Sequence, residues 1–227
     1  PMDAAVVVDA PDAEVADVPP DDSAPVDAPG DDADAAANDA APSDAGPSPP
    51  GHVVLIGHPT LRLDDAVEPM VVNSVMLSQR ATAIRVLDYT QYLTGSGFDG
   101  LVARLHAAID VRAAGLGRTV SYTSLALAAD LATALVDADV LIVHPQLLAT
   151  EAELRTTATF WHAPLVAFVA AGGVIVVTPS TASSTGGAEY ALVDGAGLLS
   201  LPMRAIPSPP ETLTVVAPSD DIVAGVL

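Results

Sequence analysis

Cysteine is absent from this chain, and so is lysine. Without a thiol there is no disulfide, no thiolate nucleophile and no Cys-ligated metal, and cysteine usage says nothing about redox compartment. Without lysine there is no Walker-type phosphate loop. All eight basic residues are Arg. With the excess of Ala, Asp and Pro, that reads as codon bias in a high-GC bacterium rather than as chemistry. Long apolar runs are missing too. None approaches the roughly 18 residues of a membrane span, and the longest apolar-rich stretch, Leu165 to Val177, is interrupted by Gly172-Gly173.

Positive charge is scarce everywhere and entirely missing from the first fifty residues. Residues 1–50 hold twelve Asp, one Glu, ten Pro and fourteen Ala, with no Arg, Trp, Tyr or Phe. They carry −13 of the net charge of −21, leaving −8 for the remaining 177 residues. Such a segment has little apolar surface to offset its chain entropy, and its charges repel one another. The expectation is a disordered acidic linker over residues 1–51, in which Val6-Val7-Val8 is too short to seed a core. Residues 52–227 suffice for a single domain. A chain this acidic has no footprint for nucleic acid or anionic lipid, so neither is an expected partner.

Within residues 52–227 short β-branched runs alternate with helical patterns. Val53–Gly57, Ile84–Leu87, a weak edge run Val120–Thr123, Asp139–Val143 and Val174–Val177 read as strands, with Leu198–Leu201 and Leu213–Val216 as further candidates. Helical spacing covers 67–80, 98–114, 125–136 and 189–196. Thr150 with Glu153 opens a further helix as a capping box, one that Pro164 is expected to break or kink before Gly172-Gly173. Apolar strands alternating with helices predict an α/β, doubly wound, mostly parallel sheet with helices on both faces, flavodoxin-like or amidotransferase-like. Asp220 to Leu227 reads as the approach to another element, so the domain is expected to be abbreviated at its C-terminus.

The run Asp139 to Val143, a helix, and then Phe168-Val-Ala-Ala-Gly-Gly-Val-Ile-Val-Val177 resembles the class I glutamine amidotransferase-like superfamily, in particular its trehalose-utilisation-like members. The resemblance covers residues 52–227. It implies a nucleophilic Cys in the turn after Val174–Val177, where this chain has Thr178-Pro179-Ser180. With no Cys, no G-x-S-x-G elbow and a Pro that cannot donate to an oxyanion hole, glutaminase chemistry is excluded. The Asp/Ala/Pro tract in turn resembles the spacers of bacterial envelope lipoproteins. That resemblance implies an extracytoplasmic location and a lipid anchor upstream of the Pro-Met start, the only membrane attachment expected.

Ligands of open parallel sheets bind outside the carboxyl ends of the strands. The polar residues that follow strands here are His58, Asp88, His144 with Gln146, and Thr178 with Ser180. These six are the candidate ligand-binding set, and the strands bearing His58 and His144 are expected to be neighbours. His106 and His162 read as surface or packing residues on helices, and Asp64-Asp65 with Glu68 as solvated helix-start acids rather than a metal loop. No cofactor, metal site or catalytic residue is assigned. The leading reading is a non-catalytic module that holds a small polar ligand or an envelope protein. The alternatives are a carbohydrate or amide hydrolase with a His-based or metal-assisted site formed by His58, Asp88 and His144, and a purely structural domain.

Overall fold

The computed structural model describes residues 5–7, 51–56, 67–80, 82–93, 96–178 and 189–199. Six strands form one sheet: β1 (Ala5–Val7), β2 (His52–Ile56), β3 (Ala83–Tyr89), β4 (Thr119–Leu125), β5 (Val140–Val143) and β6 (Val174–Val177). Their spatial order is β1-β2-β6-β5-β3-β4. β2 through β6 run parallel, and β1 pairs antiparallel with β2, Val6 opposite Leu55. The doubly wound α/β architecture expected of the sequence is therefore present. Ala5–Val7, assigned above to the linker, instead adds an edge strand; its apolar residues extend a sheet that other segments have already built.

Among the described residues five α-helices accompany the strands: α1 (Val67–Met76), α2 (Ser96–Gly115), α3 (Leu131–Ala134), α4 (Glu151–Ala170) and α5 (Tyr190–Gly195). Side chains alternate across a strand, and the sheet's two faces accordingly carry two cores. Val54, Ile56, Ile84, Val86, Val140, Ile142, Val174 and Val176 pack with α1 and α2 through Val71, Val75, Leu105 and Ile109. Leu55, Leu87, Leu141, Val143, Ile175 and Val177 pack with Leu131, Leu154, Trp161, Leu165 and Leu192 from α3, α4 and α5. All eight residues of β5 and β6 are buried, which is why both strands read as unbroken apolar runs.

Several boundaries differ from the sequence reading. α1 stops at Met76, four residues early, where Arg118 donates to the carbonyls of Met76 and Ser78 at 2.9 and 2.7 Å and satisfies the helix end. The helix expected over 125–136 shrinks to Leu131–Ala134 between two 3-10 turns, because Leu125 belongs to β4 and only Leu131 and Leu135 are buried beyond it. α4 runs unbroken through Pro164. Burial of Leu154, Ala158, Trp161, Leu165 and Phe168 outweighs the ~3 kcal/mol that an interior proline costs. Its capping box forms as expected, Thr150 Oγ1 accepting from the Glu153 amide. Leu198 and Leu199 are not in a strand. The candidate strand at 213–216 lies outside the described residues.

The glycine pair between α4 and β6 has a specific geometric task. Gly172 takes φ +90°, the Gly173 amide donates to Phe168 O and the Gly172 amide to Val169 O, which together close the helix in a Schellman turn. Gly51 then packs directly on this turn, its amide donating to Val169 O at 2.8 Å. A Cβ at Gly51 would lie 1.9 Å from the Gly173 carbonyl oxygen, a backbone atom that cannot swing away. Gly51 is thus part of the packed unit, one residue before the start expected at His52. Gly51→Ala is expected to destabilise the protein by about 2–3 kcal/mol, read as a lower midpoint at unchanged slope in urea unfolding.

Candidate functional site

The chain leaves β3 outward to β4 and then returns to the other side of β3 to form β5. That reversal is a topological switch point, the place where open α/β sheets leave a crevice beyond their carboxyl ends. Asp88 is the penultimate residue of β3 and His144 follows β5 directly, so two of the candidate residues flank the switch.

Asp88 and His144 meet there. His144 Nε2 lies 2.6 Å from Asp88 Oδ1, and the two side chains are only 2% and 4% exposed. The second carboxylate oxygen is taken by His106 from α2, Nε2 to Oδ2 at 2.9 Å. An ionised carboxylate only accepts, so each imidazole carries its hydrogen on Nε2. Burial raises the Asp88 pKa, but the hydrogen bonds from His106 and His144 together outweigh it and hold the carboxyl below its ordinary value. Asp88 was expected to end β3, but it sits inside the strand, because the ladders to β4 and β5 both continue to Tyr89.

His106 is itself held from outside. Its ring stacks on Tyr122 of β4, centroids 3.6 Å apart and planes 17° from parallel. The Tyr122 hydroxyl lies 2.9 Å from Asp110 Oδ1 and 3.1 Å from the His106 carbonyl, two acceptors for one proton. Burial and the Asp110 carboxylate both push that phenol's pKa upward. The sequence reading took His106 for a surface or packing residue. It flanks the apolar stripe of Leu105, Ile109 and Ala113 on α2, and only the packing of α2 over β3 turns it toward Asp88. No spacing signal separates such a flanking histidine from an exposed one. His162, by contrast, is an exposed helix residue, as that reading allowed, with Nδ1 2.6 Å from the Ala196 carbonyl oxygen.

Gln146 and Thr178 are present at the edge but committed inward. The Gln146 amide group donates to Tyr89 O and His144 O, its oxygen accepts from the Tyr92 amide, and its own backbone N–H donates to Glu189 Oε1 at 2.8 Å. Buried Glu189, absent from the sequence reading, so ties the start of α5 to the loop after β5. Thr178 Oγ1 donates to Val143 O. His58 and Ser180 lie outside the described residues. The expectation that their strands place His58 beside His144 is overturned at the level of the strands: β6 lies between β2 and β5. The reason is the long crossover from β2 to β3, which leaves β2 at the far side of the sheet. Glu68 pairs with Arg104 at 2.9 Å rather than with other acids, and among the described residues no cluster of three metal-ligating side chains occurs.

Beside the switch point, at the carboxyl ends of β3 and β4, the described residues present an accessible rim of hydroxyls and an imidazole. Thr90 Oγ1, two residues past Asp88, and Ser124 Oγ, level with Asp88 in the register, lie 2.8 Å apart and are both exposed to solvent in part, and His106 is 22% exposed. Comparison with protein-family models, curated proteins and solved structures finds no match to this chain.

The depressed Asp88 pKa has a defined consequence for stability. The contribution of the His–Asp–His group is present above the ordinary carboxyl value of 3.8 and is lost as pH falls through the lower, folded-state value. Asp88→Asn is expected to cost about 3 kcal/mol near neutral pH and to flatten the loss of stability below pH 3.8. Parallel urea titrations of both proteins from neutral to acidic pH measure that difference in slope.

Proposed function

We propose that this chain is a non-catalytic α/β module that binds a small polar ligand at the switch-point edge and is displayed at the bacterial cell envelope. The observation that carries the reading is the closed state of the edge's strongest groups. Both Asp88 oxygens are engaged by imidazoles, and Gln146 and Thr178 are spent on backbone partners. A site organised in this way presents a preformed, rigid surface rather than an open base or nucleophile. The accessible groups, Thr90, Ser124 and His106, offer donors and acceptors of the kind that recognise hydroxylated or amide ligands. The missing Cys and the amidotransferase-like order of elements support the same reading, and the acidic Asp/Ala/Pro tract supports the envelope location.

A second reading rests on one distance. An imidazole held by a buried carboxylate at 2.6 Å is also how a general base is oriented, which favours a hydrolase of carbohydrates or amides with His144 as base and Asp88 as its positioning residue.

A panel of mono- and disaccharides and primary amides, read by thermal shift and by release of nitrophenol from the corresponding glycosides, separates the two. Binding without turnover is expected, with the shift in Tm abolished in Thr90→Ala/Ser124→Ala, a surface change that should itself alter stability by less than about 0.5 kcal/mol. Turnover that disappears in His144→Ala would overturn the binding reading in favour of the hydrolase. No shift and no turnover with any member would remove both.

A further inference from the structure

The two long edges of the sheet are treated differently. At one, β2 is paired by β1. At the other lies β4, seven residues long, whose only strand partner among the described residues is β3. Edge strands of soluble proteins are normally blunted by charge, proline, a bulge or shortness. β4 has none of these. Its sequence, TVSYTSL, is uncharged and free of proline, and its register against β3 is continuous from Ala83↔Thr119 to Tyr89↔Leu125.

The orientation of its backbone groups follows from two hydrogen bonds. The Thr119 amide donates to Thr82 O, and Leu125 O accepts from the Thr90 amide, so the odd-numbered residues face β3. In a parallel ladder the two polar groups of one residue point to the same side and alternate along the strand. Val120, Tyr122 and Ser124 therefore direct their N–H and C=O groups away from the sheet. That row is self-complementary. If a second copy approaches antiparallel with Tyr122 opposite Tyr122, then Val120 faces Ser124 and every outward donor meets an outward acceptor, six hydrogen bonds about a two-fold axis. The absence of charge along the strand matters here, because a neutral contact adds no local repulsion to that between two chains of net charge −21.

We propose that β4 is a homodimerisation edge, at which two copies join their sheets through antiparallel β4–β4 pairing centred on Tyr122. The pairing places Ser121 of one copy opposite Thr123 of the other. Both side chains are exposed, so their substitution leaves the monomer's core untouched while probing the register.

The test is sedimentation of the full chain over a range of concentrations, at about 0.3 M salt to screen the general repulsion. Wild type is expected to move from 22.9 kDa toward twice that mass as concentration rises. Ser121→Lys/Thr123→Lys sets like charges opposite each other and is expected to weaken the dimer at least tenfold. Ser121→Lys/Thr123→Glu sets opposite charges there and should remain dimeric. Val120→Pro removes an outward N–H that β3 does not use and should also weaken it, with the far-ultraviolet circular dichroism of all three unchanged. A single 22.9 kDa species at every concentration would overturn the proposal. So would a dimer indifferent to the paired-lysine variant, or a monomer in which the Val120, Tyr122 and Ser124 amides resist hydrogen exchange because another segment of the same chain covers the edge.

Discussion

A parallel strand cannot be joined to its neighbour by a tight turn, and each crossover must travel over a face of the sheet. In this protein that constraint governs nearly everything else. With β5 and β6 at the centre and buried on every residue, both faces must be covered, α1 and α2 on one side and α3, α4 and α5 on the other. The direction of winding reverses between β3 and β5, so the crevice at their carboxyl ends follows from the covering of the sheet. Asp88, the penultimate residue of β3, and His144, which follows β5 directly, lie at that end of the sheet.

The β3–β5 pair is also where buried charge is concentrated. At its amino end Asp139, 4% exposed at the side chain, accepts from Arg80 Nε at 2.7 Å and from the Arg85 amide and guanidinium. Burial raises its pKa, and the bonds from Arg85 and Arg80 more than reverse that. At the carboxyl end Asp88 is compensated by imidazoles instead. The two solutions differ in what they leave available. Arginine is a permanent cation, and Arg80 and Arg85 remain partly in solvent around Asp139, which makes a structural clasp. At the Asp88 end the partners are two imidazoles, one of them on α2, so the carboxylate couples the strands to that helix.

Tyr122 joins the two surfaces on which function is proposed. Its ring supports His106 at the switch point, and its backbone is the centre of the exposed β4 row. The rim hydroxyls of Thr90 and Ser124 lie between them. An occupant of the β4 edge would therefore stiffen the strand that carries Ser124 of the ligand rim. Binding and association would then be linked through one tyrosine, without a moving domain.

By itself the sequence determined the class of fold, because burial on both faces writes an unmistakable apolar run at Val140–Val143 and Val174–Val177, and capping chemistry writes Thr150 and Glu153. It also determined which chemistries are impossible, since a chain with no Cys has no thiolate and one with no Lys has no Walker-type loop. Asp88, His144, Gln146 and Thr178 could be picked out because strand ends are local features. What tertiary structure alone decided was pairing. Strand order put β6 between β2 and β5, and the packing of α2 over β3 brought His106 to Asp88 across 18 residues. It also let α4 continue through Pro164 and enlisted Ala5–Val7 as an edge strand. In each case the deciding energy comes from contacts between segments distant in the chain, which no local pattern of residues records.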